Sequence, residues 1–266
     1  MSLASPKILI LGAGKMTEAI LSGLHTQIDF SHSWIYSPGG ESARKLSSLV
    51  GARHVTTLET IRPDWILIGC KPQQLPELKK IIGHQFQDAL FVSMLAALPE
   101  TDQCQVLGVK KLVRIMPNLP VKFRQGITLI SSQSAATEAK EIQALFAKLG
   151  ESLIVKEEEL EELTLLTGSG PAFYYEFTLT LASAFSSLDQ NQRERLARHV
   201  LLGAATSAAK DNQALPELIN AVTSKGGVTI AVLENWRENQ MVKLIQSGIA
   251  AGKKRSQELK KLILQS

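Results

Sequence analysis

Apolar residues recur in the first half of the chain with two alternating periods. Lys7–Leu11 is a short apolar run of the β type, and Met16, Ala19, Ile20, Gly23 and Leu24 then fall at i, i+3, i+4, i+7 and i+8, one face of a helix. Ser33–Tyr36 predicts a second strand, the turn residues Ser37-Pro38-Gly39-Gly40 follow it, and Glu41–Val50 reads as a helix. Trp65–Gly69, Ala89–Ser93 and Lys111–Ile115 predict three further strands, with a weaker one near His54–Val55. Gly126–Ile130 and Ser152–Val155 flank a helix from about Ala135 to Lys148, and Gly150 stands where the end of that helix needs a positive φ. Strands alternating with helices at this spacing predict an α/β fold, a doubly wound and mostly parallel sheet with helices on both faces.

The pattern changes after Val155. Lys156 to Leu163 opens a helix with five glutamates, a composition that suits the positive end of a helix and reads as a solvated helix start. From there to Ser266 the periodicity is helical, broken at Thr167-Gly168-Ser169-Gly170-Pro171 and at Thr223-Ser224-Lys225-Gly226-Gly227. The expected division is an α/β domain over 1–156 and an all-helical domain over 157–266.

Composition narrows the classes. The chain has 266 residues, 44% of them hydrophobic and 20% charged, as in a folded chain of one large domain or two ordinary ones. A net charge of +4 gives no reason to invoke nucleic acid, and Lys253-Lys254-Arg255 with Lys260-Lys261 suit the negative end of a terminal helix. Cys70 and Cys104 are the only cysteines, which excludes a disulfide scaffold and fits a reducing cytoplasm. His25, His32, His54, His84 and His199 show no ligand spacing, so no metal is expected. The apolar run near the N-terminus is too short for a signal segment, and no stretch is long enough for a membrane span. Aromatics are only 5%, so the core must come from Ala, Leu, Ile and Val.

Candidate chemistry begins at Gly12-Ala13-Gly14, directly after the first strand and at the opening of the first helix. In that context two glycines form a dinucleotide fingerprint: the first permits the tight turn, the second lets the backbone approach a pyrophosphate, and helix amides face the anion. Ala19 is read as a displaced third small residue, packing helix against strand. About 20 residues on, where an NAD site places a carboxylate for the ribose hydroxyls, the chain reads Tyr36-Ser37-Pro38. The missing acid admits a 2′-phosphate and Ser37 can donate to it, with Lys15 or Arg44 as added charge. NADPH is therefore expected over NADH. Lys71 and Pro72 after the third long strand, Ala96 and Ala97 after the fourth, and Asn118 after the fifth lie where ligands meet open α/β sheets.

The whole chain, in order, resembles the pyrroline-5-carboxylate reductase family. The resemblance rests on Gly12-Ala13-Gly14-Lys15-Met16, Lys71-Pro72, Arg114-Ile115-Met116-Pro117-Asn118, Gly168-Ser169-Gly170-Pro171-Ala172-Phe173 and Val222-Thr223-Ser224-Lys225-Gly226-Gly227-Val228-Thr229-Ile230. It implies a Rossmann-like domain followed by an all-helical dimerisation domain, a homodimer of the kind that often joins into rings, and reduction of 1-pyrroline-5-carboxylate to proline with NAD(P)H. It also implies Thr229 as the hydroxyl that meets the imine nitrogen, Ser224, Lys225, Gly226, Gly227 and Val228 as a substrate loop, and Ser169 and Asn118 on the substrate side. The amides of Gly226 and Gly227 and the helix start after them suit a carboxylate.

Two residues depart from the family pattern: Lys15 in place of Asn, and Lys225 in place of Pro. Lys15 places charge near the pyrophosphate. Lys225 loosens the substrate loop and adds a cation, which attracts a carboxylate or marks a different substrate. The alternatives are a related imine reductase or β-hydroxyacid dehydrogenase, and a catalytically silent NADP-binding protein. Small residues such as Gly203-Ala204-Ala205 and Gly248-Ile249-Ala250-Ala251-Gly252 predict a close-packed helical layer between two copies of the chain.

Overall fold

The computed structural model describes residues 6–83 and 85–264. Met1–Ser5, the start of the segment on which the leader expectation rests, and His84 lie outside the described residues. Strands and helices alternate from the start: β1 (Ile8–Leu11), α1 (Lys15–Leu24), β2 (Trp34–Tyr36), α2 (Glu41–Val50), β3 (Arg53–His54), β4 (Trp65–Ile68), α3 (Leu75–Ile82), β5 (Leu90–Ser93), α4 (Glu100–Leu107) and β6 (Leu112–Pro117). They continue with β7 (Gly126–Ser131), α5 (Ala136–Phe146) and β8 (Gly150–Ile154). Helices follow: α6 (Glu157–Thr167), α7 (Gly170–Ser183), α8 (Gln190–Lys210), α9 (Leu215–Ala221), α10 (Val228–Glu238) and α11 (Met241–Leu264).

The strands form one sheet in the order β3-β2-β1-β4-β5-β6-β7-β8. Pairing is parallel from β3 to β6 and again between β7 and β8, while β6 and β7 are antiparallel. The exception has a simple cause: residues 118–125 are too few for the dozen or so a parallel crossover needs, so a short 3₁₀ turn at Leu119–Phe123 reverses the chain. Gly150 takes φ +130° and itself opens β8, two residues before the predicted start.

Apolar runs in the strands are continuous because both faces are covered. Ile8 and Ile10 point into one core with Ile20 and Leu24 of α1 and Ile142 and Phe146 of α5. Leu9 and Leu11 point into the other with Leu75, Leu78 and Ile82 of α3 and Leu107 of α4. This doubly wound α/β region and the helical remainder match the predicted class.

Contacts divide the chain into two compact units, one of Met1–Pro171 with Lys253–Ser266 and one of Ala172–Gly252. α6 falls in the first because Leu160 is fully buried against Met116 and Leu129 of the sheet. Its acidic start is not wholly solvated, contrary to the sequence reading: Glu157 is largely buried and ion-paired to Arg114 of β6. In the second unit only Thr178 and Ala182 are buried among the described residues. Phe173, Tyr174, Tyr175 and Phe177 of α7 are exposed, although Phe177 meets Trp236 of α10 edge to face at 5.9 Å. Four of the fourteen aromatics thus stand on an open helix, while Phe30, Phe86, Phe91 and Phe146 are buried in the sheet unit beside the aliphatic residues.

Candidate functional site

The order of strands reverses between β1 and β4, and a cleft of about 290 Å³ opens at their carboxyl ends. Such a switch point is where open α/β sheets receive ligands. Gly12, Ala13 and Gly14 line the cleft, with Ser37 and Pro38 after β2 and Gly69, Cys70 and Lys71 after β4. Gly12 has φ +105° and donates its amide to Tyr36 O at 2.9 Å. A Cβ there would lie 2.8 Å from the backbone of Gly69, so only glycine fits this turn.

Gly14 is the N-cap of α1 and no side chain caps the helix. The first amides of the helix are left for an anion at the cleft, where the helix dipole adds a positive field. An uncapped helix start behind a glycine cradle fits the pyrophosphate of a dinucleotide. Burial pushes the Cys70 thiol up, which leaves it a neutral lining group rather than a nucleophile.

The remaining predicted residues have distinct placements. Lys15 is exposed and Met16 packs against the core; neither they nor Arg44 line the cleft. Pro72 opens a short 3₁₀ turn, closed by Gln74 Oε1 accepting from the Lys71 amide at 3.0 Å. Ala96 and Ala97 lie in the turn after β5, where Ala97 takes φ +64°. Asn118 is buried, with Oδ1 accepting from Ile127 N at 2.9 Å and Nδ2 donating to Thr167 O at 2.9 Å. Its amide thereby ties the end of β6 to the break that carries Ser169.

Ser224, Lys225, Gly226 and Gly227 form a turn in the helical unit, closed by Gly227 N donating to Ser224 O at 2.9 Å. Gly226 has φ +72°, a left-handed residue in the third position, and Lys225 occupies the second, where turns favour proline. Gly227 then caps α10 without a side-chain bond, and Val228 and Thr229 are its first two residues, both exposed.

Three features escaped the sequence reading. Thr17 packs α1 against the sheet as well as Ala19 does: it is fully buried, and a Cβ on Gly69 would lie 2.3 Å from its Oγ1. Its place as third member of Gly12-x-Gly14-x-x-Thr17 was the available signal. Glu77, Leu78 and Ile81 of α3 also line the cleft, which no local motif announces. The third is the Arg114–Glu157 pair.

Two family models match in tandem. Residues 7–97 match the coenzyme F420-dependent NADP oxidoreductase model, and residues 157–259 match the pyrroline-5-carboxylate reductase dimerisation model. A curated pyrroline-5-carboxylate reductase of Staphylococcus epidermidis is 29% identical over 264 residues, covering 95% of this chain and 97% of that one. The dimerisation model and the curated relatives both point to the pyrroline-5-carboxylate reductase family. Solved structures agree on the fold. The pyrroline-5-carboxylate reductase of Coxiella burnetii superposes with a TM-score of 0.85 at 24% identity, over 96% of this chain and 98% of that one. The Plasmodium falciparum pyrroline carboxylate reductase, solved with NADP bound, gives 0.84 at 20% identity over 97% and 100%.

Proposed function

We propose that this chain is a pyrroline-5-carboxylate reductase, reducing the cyclic imine 1-pyrroline-5-carboxylate to proline with NADPH. The observation that carries the reading is the near full-length likeness to a curated enzyme of that name, joined to a glycine-turn cleft suited to the cofactor. Residues 1–156 form the dinucleotide domain and 157–266 the dimerisation and substrate domain.

Gly12, Ala13, Gly14 and the start of α1, flanked by Lys15 and Met16, hold the pyrophosphate. Ser37 donates to the 2′-phosphate, and the absence of an acid after β2 supports NADPH over NADH. Lys71, Pro72, Ala96, Ala97 and Asn118 serve the nicotinamide side. The bound nicotinamide supplies a hydride to the C=N carbon. Ser224, Lys225, the amides of Gly226 and Gly227, and Val228 hold the substrate carboxylate, with Ser169 on the substrate side. Thr229 hydrogen-bonds the ring nitrogen, and the proton that nitrogen gains comes from solvent, directly or relayed through that hydroxyl, which is reprotonated; a threonine hydroxyl with no activator polarises or relays rather than acts as a base. Holding two reactants in register and excluding water supplies most of the acceleration such a reaction needs.

The helical unit, which buries almost nothing within one chain, is covered by a second copy in a homodimer, and dimers join into a ring. The protein works in the cytoplasm: both cysteines are free, and among the described residues no helix is long and apolar enough to cross a membrane.

The test is NADPH oxidation with 1-pyrroline-5-carboxylate against hydroxyacids and other cyclic imines. Turnover confined to hydroxyacids overturns the substrate, and equal kcat/KM with NADH overturns the cofactor preference. Thr229→Ala is expected to lower kcat/KM by about tenfold, the scale of one transition-state hydrogen bond. A folded variant with unchanged kcat/KM removes Thr229 from the mechanism.

A further inference from the structure

The turn after β5 is held from below by buried polar side chains. Ser93 Oγ accepts from Leu95 N at 3.2 Å and donates to Gln103 Oε1 at 2.6 Å. Gln103 Nε2 donates to Leu98 O at 2.7 Å, and Arg114 Nη2 donates to Leu95 O at 3.3 Å. Ser93 and Gln103 are fully buried, and Arg114 is 1% exposed. Behind Arg114 stands Glu157, the first residue of α6, whose Oε1 also accepts from Glu100 N at 3.1 Å.

This scaffold holds an unfavourable conformation. Ala97 sits at φ +64°, in the left-handed region that a residue with a Cβ avoids. A buried arginine is also a poor means of stabilising a fold, because apolar residues of similar volume often do as well or better. What the guanidinium supplies is direction: a fixed Leu95 carbonyl and a fixed turn after it.

The turn's position says what it faces. Across the sheet, the segments after β2, β1, β4 and β5 stand side by side, because Leu11 pairs with Tyr36 and Ile68, and Ile68 with Ser93. The row therefore runs from Ser37 through Gly12 and Gly69 to Met94–Leu98. A dinucleotide with its 2′-phosphate at Ser37 and its pyrophosphate at Gly12–Gly14 brings its nicotinamide half to 94–98.

We infer that Arg114 is a positioning residue for the nicotinamide half of the cofactor, acting through the Leu95 carbonyl on the Ala96–Ala97 turn and held in place by Glu157. The inference rests on the dinucleotide reading of the cleft.

It is tested by binding, without turnover, on the full chain. Arg114→Lys keeps the cation for Glu157 and removes the second arm. Gln103→Met removes another donor from the same turn and leaves the ion pair alone. Affinities are measured for NADPH and for adenosine 2′,5′-bisphosphate, which lacks the nicotinamide half. Each variant is expected to weaken NADPH about tenfold and to hold the bisphosphate within about twofold, the contrast expected when one half of a ligand loses its contacts. Equal weakening of both ligands, or no weakening of NADPH, in folded variants overturns the role of Arg114 and leaves the dinucleotide reading standing. Failure of the parent protein to bind either ligand overturns the dinucleotide reading, and this inference with it.

Discussion

The two compact units bury their apolar residues in opposite ways. In the sheet unit, β1 sends Ile8 and Ile10 to one core and Leu9 and Leu11 to another, and each buried side chain of this size stabilises by roughly 1.5–3 kcal/mol. In Ala172–Gly252 only Thr178 and Ala182 are buried, while Tyr174, Val200, Leu202 and Leu244 stand exposed. Such a segment does not offset the entropy of its own ordering, which runs to about 1–2 kcal/mol per residue. The sheet unit is a finished core and the helical unit is half of one. If a second copy supplies the other half, a charged patch on α8 must break it. Leu196→Asp with Val200→Asp, one turn apart and both exposed, is expected to raise the dimer dissociation constant by at least two decades, about 3 kcal/mol. Sedimentation of the parent and the variant across a concentration series checks this. A double variant that stays dimeric would show that this face is not the one covered.

The same contrast appears at two glycines with left-handed backbones. Gly12 combines φ +105° with a Cβ position 2.8 Å from the Gly69 backbone, which cannot yield as a flexible side chain would. Gly226 has φ +72° but nothing within 4 Å of the position of its Cβ. Gly12→Ala is therefore expected to cost about 3 kcal/mol of stability and to abolish NADPH binding. Gly226→Ala carries only backbone strain, about 1–2 kcal/mol, and retains cofactor affinity. Urea midpoints and NADPH titrations on both variants check the ranking; equal losses would mean that the cleft is less tightly built than its geometry shows.

What could be read from the sequence follows from this difference. Strands buried on both faces leave continuous apolar runs, so β1, β4, β5 and β6 were found to within a residue or two. Gly12-Ala13-Gly14 was legible because a tight turn and an anion site make local demands. Glu157 was misread as solvated because its partner, Arg114, lies far away in the sequence and comes beside it only through β6 and α6. Thr17 was missed beside Ala19 because both lie on the inner side of α1, and only the approach of Gly69 marks it out. Asn118 was legible as a polar residue after the fifth predicted strand, but its bonds to Ile127 and Thr167 depend on the reversal between β6 and β7.

The smallest effect concerns where the chain returns to the sheet unit. The units divide α11 between Gly252 and Lys253, and Lys253 Nζ bonds Glu162 Oε1 of α6 at 2.6 Å. That ammonium holds the Glu162 carboxyl below its ordinary value of 4.5. A carboxyl lowered on folding adds stability above its unfolded pKa and loses it as pH falls through the folded value. Both side chains are largely exposed, so water and salt screen the pair and its contribution is slight. Lys253→Met should lower Tm a little at pH 7, by less at 1 M salt, and the gap should close as pH drops from 4.5 through the titration of Glu162. A gap indifferent to both pH and salt would mean that the lysine holds α11 through its methylene stem rather than its charge.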